Sequence, residues 1–378
     1  MKSEKNPQQG ARPRTLLFSH QNISEQMVWR CPSLEFQQVI QKVDSVELLA
    51  PKAKSWYREG KRVALRLGEF VNLPINPGVP EIVLSRDYEM FFTVCSSVSD
   101  LLHLTAVRGW RERCKIKVCW LIEFYAKDIS IYKSCMGVLN EFDFVFFGCS
   151  GSEPLKKLTK GQAHFLPGAV DTLGFSPYPQ PPKRSIDVLS IGRRAPIIHK
   201  SLLQMAKEDG KFYVYDTINA LKAFDLNEHR SLLANMAKRS RYFIVSPGKF
   251  DKPEETGGQS EFGHRYFEAA APGAIMIGMR CANNPEFDKI FNWEDAVIEV
   301  PFTSDAIIDV IRELDKQPER QMRIRQTNML QALLHHDWVH RWESVLSMVG
   351  LPSLPELQER KACIRHLAEV VKNASTEP

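Results

Sequence analysis

The sequence predicts an α/β fold made of two halves that face a cleft, followed by a terminal helical segment. Three observations carry that expectation. Short apolar runs of strand length alternate with stretches of helical spacing, the pattern of a parallel sheet flanked by helices. The alternation stops at Pro177–Arg184, where four of eight residues are proline, and then restarts. A length of 378 residues suits two domains better than one.

Residues 1–13 are polar, carry Pro and Gly, and read as a disordered tail. The first half is placed at 14–178. In it the runs 15–20, 46–50, 81–85, 89–96, 117–124 and 142–149 read as strands, and 34–43 and 97–113 as helices. Proline-rich stretches make stiff extended connectors, so the boundary is set at Pro177–Arg184. The second half, 185–345, opens with a buried-strand pattern ending in glycine (185–192). Helix-like 199–210, strand-like 211–217, helix-like 228–240 and strand-like 241–246 follow. A long loop then leads to a helix at 264–271, strands at 274–278 and 296–300, and helices across 304–349. Residues 346–378 form a final helix and tail. Open α/β sheets bind ligands beyond the carboxyl ends of their strands, so a functional cleft is expected between the halves. The stiff connector suggests a hinge that closes on ligand and excludes water.

Composition narrows the function classes. The chain is 43% apolar and 25% charged, which excludes a wholly disordered or collagen-like chain. No run of 18 apolar residues exists, so no transmembrane segment is expected. The N-terminus lacks the apolar region of a secretory signal. Eight scattered cysteines, with no Cys-x-x-Cys pair and no zinc spacing, read as reduced thiols of a cytoplasmic protein. The net charge of +5 lies wholly in the first 180 residues, which hold 23 basic and 18 acidic residues. Its densest stretch is Arg108, Arg111, Arg113, Lys115 and Lys117, opposed locally by Glu112 alone. An acidic lipid or a phosphorylated acceptor would suit that stretch, which leaves room for peripheral membrane contact. The plainer reading is a solvated helix end and loop. Nothing matches a nucleic-acid footprint, so no nucleic-acid partner is expected.

The informative stretch runs from Arg241 to Gly278. A buried strand feeds a loop of about sixteen residues, a length that is usually functional inside a compact domain. The loop holds Gly248, Gly257, Gly258 and Gly263, and glycines let backbone amides approach a phosphate. It runs into a helix whose free N–H groups and dipole favour an anion. Glu268, about one turn in, is suited to accept hydrogen bonds from the vicinal hydroxyls of a ribose. The bland alternative is a glutamate favoured there by the helix dipole alone.

Arg265-Tyr266-Phe267-Glu268-Ala269-Ala270-Ala271-Pro272-Gly273-Ala274 resembles the donor-site signature of GT-B glycosyltransferases, in particular the "glycosyl transferases group 1" and spore-maturation-type members. His164–Pro177 is similar to the string that precedes the interdomain linker in that superfamily, and Asp187–Arg194 to the first strand of its C-terminal domain. His336-Asp337-Trp338 and Arg341-Trp342 fit its closing pattern. The resemblance covers about residues 140–345 by sequence and 14–140 by architecture. It implies two Rossmann-like domains facing a cleft, with the C-terminal helix packing back on the first. It also implies transfer of a sugar from a nucleotide-diphosphate donor to a hydroxyl acceptor (glycan, lipid-linked or small molecule), with no cofactor. Many members carry a Glu-x7-Glu pair; here Ser260 holds the first position and Glu261 follows it.

The donor-binding set is Gly192, Arg193, Arg194, Ser246, Gly263, His264, Arg265 and Glu268. Arg193 is expected to stabilise charge that grows on the departing diphosphate. Lys200 and Lys249 are weaker candidates. No Asp-x-Asp occurs, which agrees with a metal-independent site. On the acceptor side, Glu123 at the end of a strand-like run and His20 after the first strand are expected to face the crevice, with either able to take a proton from the acceptor hydroxyl. His103 and Trp120 read as core. A non-catalytic nucleotide-sugar or glycan-binding protein on the same fold is the main alternative, and another two-domain α/β enzyme, such as a sugar epimerase, the next.

Overall fold

The computed structural model describes residues 12–23, 27–129, 132–151, 156–157, 159–216 and 222–374. The predicted N-terminal tail lies outside the described residues apart from Arg12 and Pro13.

The first sheet is parallel, in the order β2-β1-β4-β6-β7-β8. Its strands are β1 (Thr15–Phe18), β2 (Val46–Leu49), β4 (Tyr88–Cys95), β6 (Cys114–Leu121), β7 (Phe144–Phe147) and β8 (Gln162–Phe165). The alternation of side chains along each strand divides two cores. Leu16, Phe18, Phe91, Cys119, Leu121, Val145 and Phe147 point to one face. That face is covered by a 3-10 helix (Val98–Ala106), α2 (Tyr57–Val71), α3 (Trp110–Arg113) and α4 (Lys133–Leu139). Leu17, Met90, Phe92, Val118, Trp120 and Phe146 point to the other, onto α1 (Cys31–Val43).

The expected helix over 97–113 is broken in three. After the 3-10 helix comes β5 (Val107–Arg108), which pairs with β3 (Ile82–Val83) in a separate two-stranded sheet. Gly109 then turns with φ +86°, a conformation that favours glycine, before α3 begins. The run 81–85 is thus no part of the main sheet. His103 and Trp120 are fully buried, as core residues.

The basic stretch is neutralised by carboxylates brought from elsewhere. Arg108 meets Glu81, Arg111 meets Glu141, Arg113 meets Asp87 and Lys117 meets Asp143. This agrees with the plainer reading of a solvated helix end and loop.

The second sheet is also parallel, in the order β10-β9-β11-β12-β13. It comprises β9 (Ile186–Ser190), β10 (Tyr213–Tyr215), β11 (Ser240–Val245), β12 (Ile275–Gly278) and the short edge strand β13 (Ile298–Glu299). Short α5 (Thr172–Phe175) precedes it. Around it lie α6 (Pro196–Asp209), α7 (Leu226–Lys238), α8 (Pro253–Thr256), α9 (Arg265–Ala270), α10 (Pro285–Ile290), α11 (Ile307–Asp315) and α12 (Pro318–His335). Gly210 ends α6 in the left-handed conformation, and the Asp225 carboxylate caps α7 by accepting from the Asn227 and Glu228 amides.

The chain then returns to the first domain. Trp338, Trp342, Val345 and Leu346 of α13 (Trp338–Val349) join the core on the α1 face, as do Leu357, Ile364, Ala368 and Val371 of α14 (Pro355–Asn373). Trp338 stacks on Phe36 at 4.9 Å, and the Trp342 indole donates to Asp44 at 2.8 Å. Each large side chain so buried contributes about 1.5–3 kcal/mol, so the C-terminal segment is an integral part of the first domain's core.

Candidate active site

The loops beyond the carboxyl ends of the two sheets meet each other, Glu123, Ala126 and Ser150 on one side and Lys249, Gln259 and Glu261 on the other. On the second domain, β9 ends at Ser190 and the chain turns through Gly192 with φ +94°. The Gly192 amide donates to the Asp216 carboxylate at 2.9 Å, and the Arg194 guanidinium meets the same carboxylate at 2.6 Å. Arg193 points away from this pair and bonds Asp251 at 2.9 Å, with about 40% of each side chain exposed. Arg265 donates through Nε to the Ile191 carbonyl at 3.2 Å and through its terminal nitrogen to Glu268. Three arginines therefore surround the β9 turn.

The loop after β11 carries Ser246 and Lys249, and contains the short helix α8 within its expected length. Gly263 and His264 lead into α9. That helix is six residues long, so its dipole adds little positive potential, and each of the three arginines is paired with a carboxylate. His264 lies beside Trp338, and burial pushes its imidazole down to about 4, so it is neutral near pH 7.

Glu268 departs most from expectation. A ribose ligand was expected to present its carboxylate to the cleft, yet the residue is 1% exposed and both oxygens are taken. One accepts from Arg265 and the other from Arg230 of α7. Burial alone would raise this carboxyl, but Arg265 and Arg230 more than reverse that and bring it to about 2. Arg230 also makes a bidentate pair with Glu35 of α1, at 2.8 and 2.9 Å, so it bridges the two domains. Glu35 further accepts from the Trp338 indole at 2.6 Å and the Asp171 amide at 3.0 Å.

On the first domain Glu123 lies two residues beyond β6, with its side chain 40% exposed. It meets Lys249 of the opposite domain at 2.5 Å, and the same ammonium lies over the Tyr125 ring. Partial burial would lower the Lys249 ammonium; its hydrogen bond and attraction to Glu123 outweigh that and hold it above its ordinary value. Lys249, rated weak on sequence, is thus the basic residue that faces the acceptor side.

His20 is corrected. It is buried, with Nδ1 2.7 Å from His103 Nδ1 and Nε2 3.1 Å from Thr93 Oγ1. The Thr93 hydroxyl donates to the Phe18 carbonyl, so it can only accept from His20 Nε2–H. That leaves His20 Nδ1 as acceptor from His103 Nδ1–H, and His103 Nε2 as acceptor from the Tyr57 hydroxyl at 2.7 Å. The one basic nitrogen of His20 faces His103 rather than the crevice.

Glu261, next to the Ser260 departure, serves the domain interface. It accepts from the Ser150 amide at 2.8 Å, the Ser150 hydroxyl at 2.9 Å and the Gly151 amide at 2.8 Å. Gln259 accepts from the Ala126 amide at 2.9 Å. Arg230, Glu35, Asp216 and Asp251 were not singled out by sequence; their partners lie far along the chain and leave no local pattern.

Residues 211–347 match the family model described as glycosyl transferase-like. No curated protein sequence matches the chain significantly. Among solved structures it is similar to an alpha-glucosyltransferase in complex with UDP and a 13-mer DNA containing a central A:G mismatch, with a TM-score of 0.54, 12% identity, and 89% of this chain and 99% of that chain covered. The same comparison finds the N-terminal domain of Candida albicans trehalose-6-phosphate phosphatase, with a TM-score of 0.55, 7% identity, and coverage of 90% and 97%. Identities this low establish the fold alone. The chain has the two-domain GT-B glycosyltransferase fold, and its residues 211–347 carry the glycosyl transferase-like family match.

Proposed function

We propose that the protein moves a sugar from a nucleotide-diphosphate donor to a hydroxyl acceptor across this cleft, without a divalent metal. The observation that carries the reading is the ring of Arg193, Arg194 and Arg265 around the β9 turn, beside the stretch that matches the glycosyl transferase-like family. In the transfer the acceptor oxygen bonds the anomeric carbon, the bond to the diphosphate breaks, and the acceptor proton passes to a base. Charge therefore grows on the diphosphate, where fixed guanidinium groups stabilise it. Arg193 is the most available of the three. Its pair with Asp251 is half-exposed, and such pairs are worth about 1 kcal/mol or less, so little is lost when it turns to a diphosphate. Arg265 leaves a buried partner at greater cost.

Glu123 is the proposed acceptor-side base, with Lys249 as its neighbour. Glu268 is proposed to reach ribose hydroxyls once Arg230 or Arg265 shifts. Two solved alpha-glucosyltransferase structures of this fold hold UDP or UDP-glucose, which makes uridine nucleotides the first donors to try. The non-catalytic alternative draws on the doubly paired Glu268 and on the inward-facing base nitrogen of His20. Donor hydrolysis separates the two readings. The enzyme is expected to release nucleoside diphosphate from one nucleotide sugar in the presence of chelator, and Arg193→Ala to suppress that release. Binding of a nucleotide sugar with no release, with or without metal and across a panel of hydroxyl acceptors, would favour the binding protein.

A further inference from the structure

The helix α2 uses small residues to fold and leaves its large apolar residues outside. The side facing the protein is lined by Tyr57, Gly60, Ala64 and Gly68, spaced three and four apart as one helical stripe demands. A Cβ added at Gly68 would lie 2.8 Å from Ser134 Oγ, and one at Gly60 2.5 Å from the Pro77 carbonyl, so α2 lies close against its neighbours. Val63, Leu67 and Phe70 form an adjoining stripe that faces away from the core, Val71 and Leu73 extend it, and the half-exposed Trp56 ring lies at its start against Gly60 and Gly78. Phe70 is 88% exposed and the other five between 47% and 62%. Fifteen large apolar side chains are exposed among the described residues, and six of them fall in these 18 positions. Apolar surface gathered in this way marks an interaction site.

The charge beside it says what the site faces. Arg58, Arg62 and Arg66, four residues apart, run along the next stripe of the helix, all exposed. Lys52 and Lys54 precede them, and the Lys54 ammonium lies over the Trp56 ring. Residues 52–71 hold six basic and two acidic residues, a net +4 in a chain whose total is +5. An exposed helix with a basic stripe next to a Trp, Phe and Leu stripe is the signature of one that lies in a bilayer interface. No helix among the described residues is long and apolar enough to cross a membrane.

We infer that α2 docks the first domain on an anionic lipid bilayer, with Trp56, Leu67 and Phe70 entering the interface and Arg62 and Arg66 meeting lipid phosphates. The inference goes beyond the proposed transfer reaction, and its test needs no donor or turnover. The protein is sedimented with phosphatidylcholine vesicles that contain a minority of phosphatidylglycerol, and with phosphatidylcholine alone. Binding is expected to the anionic vesicles and to weaken with salt. Arg62→Gln/Arg66→Gln is expected to cost about 30-fold in apparent affinity, taking about 1 kcal/mol, or fivefold, per cation at such a surface. Leu67→Ser/Phe70→Ser is expected to abolish binding at all salt concentrations. Both pairs are exposed, so thermal melting should match the parent. Failure to bind anionic vesicles, or binding that neither pair weakens, would overturn the inference. So would a homodimer in light scattering that Leu67→Ser/Phe70→Ser dissolves, because the stripe would then be a contact between copies.

Discussion

Replacing Arg230 by methionine tests the bridge between the domains. The guanidinium is held between two carboxylates, bidentate on Glu35 and single on Glu268, with the Phe175 ring 4.5 Å beneath it. Removing one member of a buried ion-pair network costs about 3–5 kcal/mol, because the remaining charges lose their compensation. Here Glu35 keeps the Trp338 indole and the Asp171 amide, and Glu268 keeps Arg265, which favours the low end. The Glu268 carboxyl gives a second measure. Its fall from 4.5 to about 2 in the folded protein is worth about 3 kcal/mol at 1.36 kcal/mol per unit, shared between Arg265 and Arg230. A loss of about 3 kcal/mol lowers the melting temperature of a domain this size by roughly 6–12 °C.

The pH dependence fixes the sign. A carboxyl depressed on folding stabilises above its unfolded value and loses that contribution as pH falls through its folded value. The Glu268 contribution is therefore full above about 4.5 and fades toward about 2. The gap in melting temperature between the parent and Arg230→Met should be widest near pH 7 and narrow in acid. Glu35→Gln combined with Arg230→Met should recover part of the loss, since it removes one uncompensated charge. Calorimetry from pH 7 to pH 3 measures all three. An Arg230→Met protein that melts with its parent at pH 7, or a gap that stays constant in acid, would refute the account of a compensated buried bridge.

Glu268→Gln keeps the shape but removes the charge, and is expected to weaken donor binding by about 1.5–3 kcal/mol if the carboxylate accepts from ribose hydroxyls. A 2′-deoxy donor should then bind parent and variant almost equally badly in calorimetry; a parent blind to the 2′-hydroxyl would remove Glu268 from the ribose. Arg193→Ala should lower kcat more than it raises the donor KM, because diphosphate charge develops as the bond breaks, and equal binding loss with unchanged kcat would contradict that role. Glu123→Gln should lower kcat by roughly 10²–10⁴-fold with little change in the donor KM if Glu123 is the base, and a kcat near the parent's would point elsewhere. Gly278→Ala should prevent folding of the second domain, because a Cβ there would lie 2.0 Å from the Val245 carbonyl at φ +149°, and a soluble variant with parental melting would contradict the geometry.

What could be read from the sequence follows from which contacts are local. The runs around β4, β6, β7, β9, β11 and β12 were legible because central parallel strands are continuously apolar. The runs 81–85 and 296–300 also read as strands and do hold β3 and β13, though only two residues of each run pair, and Gly109 interrupts what reads as one long helix. The helix α2 is not legible as a core helix because its inward stripe is small rather than apolar. Arg265 and Glu268 stood out because they share one short string. Arg230 did not, because Glu35 lies 195 residues away and nothing on α7 announces the pair. The charge of Arg108–Lys117 was visible while its cancellation by Glu81, Asp87, Glu141 and Asp143 was not.

The carboxylate that follows Ser260 acquires a physical meaning from the same long-range contacts. A carboxylate one place later, Glu261, turns toward the first domain and holds the Ser150 and Gly151 amides after β7. Its neighbour Gln259 holds the Ala126 amide after β6, and a Cβ at Gly151 would lie 2.2 Å from Gln259 Nε2. These bonds, Lys249 to Glu123 and Arg230 to Glu35 all join the domains directly, at different points of the interface. Each is polar and replaceable by water, unlike the apolar contacts that bind α13 and α14 to the first sheet. An opening motion would therefore part the 247–263 loop and α7 from the first domain while the C-terminal helices stay in place. Glu261 joins the loop to the first domain, and Glu261→Gln should loosen that contact without touching Glu268. Small-angle scattering of Glu261→Gln should give a larger radius of gyration than the parent at equal melting temperature. An unchanged radius would mean that Glu261 is no part of the clamp.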